Sequence, residues 1–115
     1  MSKDDTVYLG HMLDQARKAH LAIRGKSRED FLADETLQLA LTYLLQTIGE
    51  AARRVSDAFR DSHPEAPWKL IVGMRHKVVH DYMNVDEDIV WATVNDRIPE
   101  LIALLERIVP PDDET

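Results

Sequence analysis

The side chains best suited to chemistry lie in one short segment, Met74-Arg-His-Lys-Val-Val-His-Asp-Tyr-Met83. Histidine transfers protons near neutral pH, and arginine is shaped to hold a phosphate and the charge that develops on it. Arg75 and His80 thus supply a minimal set for metal-free RNA cleavage: a base for the 2′-hydroxyl and a cation for the phosphorane. The other interpretation is an ordinary helix surface. Residues five apart lie about 140° around an ideal helix, so convergence requires a looser helix near His80 or a second copy of the chain.

A zinc site is the alternative chemistry for this segment. His76 and His80 are four residues apart, which is the spacing of zinc-binding histidine pairs on a helix. A hydrolase of that type needs a glutamate after the first histidine, and Lys77 stands there instead. The chain has no cysteine, and Asp81 is the nearest hard ligand. We therefore expect no metal and no cofactor, with the two histidines on one solvent-facing stripe.

The charge of the chain is unevenly distributed. The 115 residues carry a formal net charge of -7, which argues against non-specific binding of nucleic acid. Between Arg53 and Tyr82, however, six basic residues stand against four acidic ones, so this segment has a net charge of +2 and the remainder -9. An anionic ligand is therefore expected at this segment.

Apolar residues recur at helical spacing throughout the chain, and strand-like alternation is absent. The pattern predicts an all-α, up-and-down bundle of four main helices with a short extra helical turn near residues 28–33. The clearest stripe, from Leu37 to Ala58, predicts a central helix buried on more than one side. Gly49 in the middle of this helix indicates the close approach of another helix. The first expected boundaries are Asp5–Arg24 with a stop at Gly25, a capping box at Ser27, Asp34–Ala58 and a loop over Arg60–Pro67. The third helix is expected from Pro67 to Val78 or as far as Tyr82, and the last over Asp86–Ile108, where Pro99 either kinks the helix or marks a start after a local break.

A single domain over residues 1–115 accounts for this pattern, with an acidic tail over residues 109–115. No apolar run approaches the roughly 20 residues of a membrane-spanning helix. The N-terminal segment is acidic where a secretory signal is basic and then apolar, so we expect a cytoplasmic protein.

The spacing Arg75-x4-His80-x-Tyr82 resembles the Arg-x(4–6)-His motif of HEPN ribonucleases, in the form found in HepT toxins. Other segments resemble the same family in order and spacing: Phe31-Leu-x-Asp-Glu35 before Gln38, Ile48-Gly-Glu-Ala51, Pro64-Glu-Ala-Pro-Trp68, and Val85-Asp86 followed by Val90-Trp91. The resemblance covers roughly residues 8 to 108. The residue after the motif arginine, commonly asparagine in the family, is here His76.

The resemblance implies a HEPN domain that forms a homodimer, with an RNase cleft at the two-fold axis. It assigns catalysis to Arg75 and His80. The expected partner is a nucleotidyltransferase antitoxin of the MntA type, which adds AMP to the motif tyrosine, here Tyr82. In the dimer one histidine deprotonates the attacking hydroxyl and its mate protonates the leaving oxygen. We expect the interface to include the third helix and the Gly49 side of the second.

Three further residues are candidates for auxiliary roles. Glu50 lies near the cleft in this family, although an ion pair with Arg53 or Arg54 is the favoured interpretation. His76 is a candidate for a second titrating group, and Asp81 either orients His80 or caps the helix end. Packing is expected for both tryptophans, and a surface position for the remaining histidines: Trp68, Trp91, His11, His20 and His63.

The alternative function is a non-enzymatic helical dimer that binds and regulates a nucleotidyltransferase. In that case Arg75 and His80 contact only nucleotide or phosphate. Toxicity on expression without the partner, abolished by His80→Ala, would distinguish the enzyme from the regulator.

Overall fold

The computed structural model describes residues 3–77, 79–81 and 84–109. The helices of this part are α1 (Lys3–Ala22), α2 (Arg28–Leu32), α3 (Glu35–Arg54), α4 (Asp57–Ser62), α5 (Trp68–Lys77), α6 (Glu87–Ala92) and α7 (Ile98–Ile108). A π-helical segment, Thr93–Arg97, joins α6 to α7. The prediction of an all-α bundle with four main helices and a short extra turn is confirmed, with α6, the π-helical segment and α7 forming the fourth.

Local capping signals set several helix boundaries. The Ser27 hydroxyl accepts a hydrogen bond from the backbone N–H of Asp30, and the Asp30 carboxylate accepts one from the backbone N–H of Ser27. This capping box begins α2. The Asp34 carboxylate caps α3, and that of Asp86 caps α6. Gly25 follows α1 with a positive φ of 75°, a conformation that glycine adopts at little cost. These four signals were predicted correctly.

The predicted central helix is interrupted at Val55. Its backbone is extended there, and Ser56 starts α4 by accepting from the backbone nitrogen of Phe59. The backbone nitrogen and the hydroxyl of Ser56 donate to the buried carboxylate of Asp5, at 2.8 and 2.7 Å. The predictions of one helix to Ala58 and of a loop from Arg60 are therefore wrong, because a capping serine bound to α1 divides the segment into two helices.

The core lies where α3 packs against α1 and α5, and where α1 packs against α7. Its largest fully buried side chains are Phe31, Leu9, Met12, Leu41, Leu45, Ile48, Ile71, Ile98, Leu105, Val55 and Val90. Pro99 occupies the first turn of α7, directly after the π-helical segment. Proline has no N–H to donate to the preceding turn, so the second of the two alternatives, a helix start after a local break, is the one observed. None of the described helices combines the length and apolar character that crossing a membrane requires.

The described part of the third helix ends at Lys77, and its predicted end at Val78 lies outside the described residues. The alternative end at Tyr82 is wrong, because Val79–Asp81 (β1) pairs antiparallel with Asn84–Val85 (β2). Val79 is opposite Val85, and Asp81 is opposite Asn84. Helical periodicity did not predict this short pair of strands, the first of which contains the motif histidine.

Candidate active site

Arg75 lies on α5 at the point where this helix comes closest to α3. A Cβ atom built on Gly49 would lie 2.9 Å from the backbone nitrogen of Arg75 and 3.0 Å from the carbonyl oxygen of Val72. Only glycine allows two helix backbones to approach this closely without displacement. The predicted reason for a mid-helix glycine is confirmed, and the approach fixes the backbone of Arg75 against α3.

The next residue on α3, Glu50, binds the side chain of Arg75. Its Oε2 lies 3.0 Å from Arg75 Nη1, while its Oε1 lies 2.9 Å from Arg53 Nη2 and 3.3 Å from Arg54 Nε. The predicted ion pairs one turn along the helix are therefore present. The contact with Arg75 was not predicted, although the position of Glu50 beside the close-approach glycine was a signal for it.

These three guanidinium groups and one carboxylate, the Glu50 cluster, carry a net charge of +2. The hydrogen bond from Arg53, helped by the charges of Arg53 and Arg75 and a bond from Arg54, lowers the pKa of Glu50 from its usual 4.5 to about 2. Glu50 is thus ionised at any physiological pH. The side chains of Arg75 and Glu50 remain 32% and 37% exposed, so a ligand can reach the cluster.

His80 follows Arg75 on a different element. Because α5 ends at Lys77 and His80 lies in β1, the 140° separation expected for a continuous helix does not apply. A helix that does not continue to His80 is one of the two conditions given above for convergence. The backbone of His80 and Asp81 lies in β1, whereas their side chains and the whole of Tyr82 lie outside the described residues.

The other histidine of the segment, His76, is exposed on the last turn of α5. His76 and His80 do not share one helix face, because His80 belongs to β1. Across the described ranges, no group of three histidine, aspartate or glutamate side chains is arranged to hold a metal ion.

The tryptophans pack inside the protein, as predicted. Trp91 contacts the ring of Phe31, with centroids 5.4 Å apart. Trp68 meets Phe59 edge to face, and its Nε1 donates to the carbonyl oxygen of His63 at 2.9 Å. His63 is half-buried and stacks on Phe59 at 4.1 Å, so its predicted surface position is wrong. His11 and His20 are exposed, as expected.

This geometry favours phosphate chemistry at Arg75. A guanidinium has five N–H donors in a planar fork, and Glu50 engages Nη1. Glu50 restricts the side chain while leaving it accessible, which is the arrangement that orients an arginine for an anion. His80 follows five residues later in the chain, and histidine is the residue type that most often transfers protons near neutral pH.

Comparison with known proteins shows the family of the chain. The family model described as "Ribonuclease HepT-like" matches residues 12–108. The chain is 38% identical over 102 residues to "Putative RNase TTE0752" of Caldanaerobacter subterraneus subsp. tengcongensis, covering 89% of this chain and 91% of that protein. It is 40% identical over 80 residues to "Probable ribonuclease HepT" of Thermococcus cleftensis, covering 70% and 73% of the two chains. No solved structure gives a significant match.

The chain therefore belongs to the HepT-like family. The match spans α1 to α7 and includes Gly49, Glu50 and the Arg75–His80 segment.

Proposed function

We propose that this protein is a metal-independent endoribonuclease of the HEPN type and the toxin of a toxin–antitoxin pair. The observation that carries the proposal is the placement of Arg75, held by Glu50 at the α3–α5 contact and followed within five residues by His80. Two relatives whose names describe them as RNases, each matching at least 70% of the chain, support the substrate class. We infer that the reaction takes place in the cytoplasm.

In the proposed reaction the 2′-oxygen of a ribose attacks the adjacent phosphorus. The new P–O2′ bond forms while the P–O5′ bond breaks, which leaves a 2′,3′-cyclic phosphate and a free 5′-hydroxyl. His80 of one protomer takes the proton from the 2′-hydroxyl, and the same residue of the partner protomer gives a proton to the leaving oxygen. Arg75 stabilises the charge that builds on the phosphorane.

This mechanism needs two copies of the chain, so we propose a homodimer with α5 at its interface. The Gly49 side of α3, expected to contribute, faces α5 of the same chain. The interface must therefore use other residues, such as Leu70 of α5, which is 58% exposed and has Met74 and Leu101 beside it in one surface groove.

Regulation is proposed to occur at Tyr82. A nucleotidyltransferase partner of the MntA type would attach AMP to its hydroxyl, two residues beyond His80. The added phosphate is an anion, and it would compete with RNA for the guanidinium of Arg75.

The test is expression without the partner. Growth should stop in cells that express the wild-type chain and continue with His80→Ala at the same protein level. Purified protein should cleave RNA in the presence of EDTA, leave DNA intact, and produce 2′,3′-cyclic phosphate ends. A chain that is harmless and inactive on RNA, yet binds a nucleotidyltransferase, would instead be the non-catalytic regulator.

A further inference from the structure

A surface cavity of about 490 Å³ is lined by residues of α1 and α3. Its volume is within the range of small-ligand sites, roughly 300–1,000 Å³. Neither the motif nor the proposed chemistry uses it. Its polar lining comes from Tyr8, His11, Asp14, Gln15, Lys18, Thr47, Glu50 and Arg54.

The chemistry of this lining suits a nucleotide. Lys18 and Arg54 are exposed cations that can meet a phosphate. Asp14 and Glu50 accept hydrogen bonds from the amino groups that nucleobases carry, and Tyr8 offers an aromatic ring. The wall between the helices is braced, since Gln15 Nε2 donates to Thr47 Oγ1 at 3.0 Å and both residues line the cavity.

The cavity is joined to Arg75 through a single side chain. Glu50 lines the cavity and places Oε2 3.0 Å from Arg75 Nη1. Arg54 also lines it, with Nε 3.3 Å from Glu50 Oε1. Glu50 therefore connects the lining of the cavity directly to the guanidinium of Arg75.

We propose that the α1–α3 cavity is a subsite for a nucleotide of the RNA that flanks the cleaved bond, with its phosphate on Arg54 and Lys18. The inference rests on the proposed function, because it assumes that the scissile phosphate is bound at Arg75. It assigns substrate affinity and base preference to α1, an element outside the Arg-His motif.

The test measures binding of a single-stranded RNA whose 2′-hydroxyls are replaced by fluorine, so that no nucleophile is present. Lys18→Gln and Arg54→Gln should each weaken binding by about tenfold, the typical effect of losing a charge-assisted hydrogen bond. A plot of log K for RNA binding against log salt concentration should also become less steep, by about 0.7 in slope for each variant. This is the change expected from the loss of one phosphate contact on a single strand. With cleavable RNA, the losses should fall mainly in KM.

Two matched variants serve as controls. Arg17→Gln removes a neighbouring cation of α1 that pairs with Glu106, outside the cavity. Arg28→Gln removes an exposed cation of α2 that pairs with Asp88, outside both the cavity and the Glu50 cluster. Both should weaken binding by less than about twofold, the scale of an exposed ion pair.

The outcomes separate this subsite from the proposed function. If the wild-type protein cleaves RNA and Lys18→Gln binds it as Arg17→Gln does, the subsite is wrong and the function stands. If Arg28→Gln binds RNA as weakly as Arg54→Gln does and Lys18→Gln is not weakened, general charge binds the RNA and the subsite is again wrong. If the wild-type chain neither binds nor cleaves RNA, the proposed function itself fails.

Discussion

Gly49 and Arg75 are in backbone contact across two helices: a Cβ atom on Gly49 would lie 2.9 Å from the nitrogen of Arg75 and 3.1 Å from its Cβ. The residue that lets α3 and α5 approach thus touches the motif arginine itself. Glu50, the next residue, then binds the guanidinium of the same arginine. Helix packing and site geometry are therefore set by two adjacent positions of α3.

Replacing Gly49 with alanine should destabilise the protein in spite of the better helix propensity of alanine. In a helix interior alanine is more favourable than glycine by about 1 kcal/mol. Forcing its methyl group against the backbone of another helix, however, typically costs about 1–3 kcal/mol. We expect a lower free energy of unfolding in urea and slower RNA cleavage. Gly10→Ala on α1, where a Cβ meets nothing within 4 Å, is the control and should gain about 0.5–1 kcal/mol. Equal gains from both substitutions would contradict the close contact.

Arg75→Lys should lower the rate of RNA cleavage by about 100-fold or more at saturating substrate. An ammonium keeps the charge but cannot present the planar fork of donors to the phosphorane. The side chain is partly exposed, so unfolding should change by less than about 1 kcal/mol. Single-turnover kinetics with the folded variant measures the effect, and full activity would remove Arg75 from the mechanism.

Glu50→Gln should make stability less dependent on pH in acid. The folded-state pKa of Glu50 is lowered to about 2, so its contribution to stability is fully present above about 4.5 and is lost as pH falls towards 2. The free energy of unfolding should differ most between wild type and variant near pH 6, and the difference should shrink below pH 4. If the difference in free energy of unfolding between wild type and variant stays constant from pH 6 to 2.5, the ionised carboxylate of Glu50 contributes nothing to stability.

The Tyr82→Phe variant should resist inhibition by the nucleotidyltransferase while retaining RNA cleavage. The substitution keeps the ring and removes only the oxygen that would accept AMP. Incubation with the partner and ATP should silence the wild-type protein and leave the variant active, with mass spectrometry finding an adenylyl group on wild type alone. If the variant is silenced as well and the wild type carries no adduct, inhibition occurs by binding.

Sedimentation at micromolar concentration should show a dimer, and Leu70→Glu should shift it towards monomer. Leu70 is an exposed apolar side chain on α5, and an interface would cover it. Leu21→Glu is the control, since Leu21 is 64% exposed on α1, away from α5. A monomeric wild type would remove the mechanism that uses two histidines.

The features that could be predicted are those encoded within one or two helical turns. The caps at Ser27, Asp34 and Asp86 are signals of this kind, and so are the pairs of Glu50 with Arg53 and Arg54. A glycine on a mostly apolar helix also indicates that another helix is near.

The features that were missed depend on residues distant in sequence. The break at Val55–Ser56 depends on Asp5, 51 residues earlier. The end of α5 at Lys77 accompanies pairing of Val79 with Val85, and helical periodicity does not report such pairing. Glu50 meets Arg75 across two helices, and only the packing of α3 on α5 brings them together.

The π-helical segment Thr93–Arg97 holds more residues per turn than the α-helices on either side of it, because π-helical hydrogen bonds run from residue i to residue i+5. The buried residues Val90 and Leu105 belong to one hydrophobic core across this wider turn. An ideal α-helix turns about 100° per residue, so removing one residue from α6, which has no wide turn to absorb the change, would rotate the strand Asn84–Val85 by about that angle relative to α7. Because that strand pairs with Val79–Asp81, such a deletion would misalign the motif without altering any residue of it.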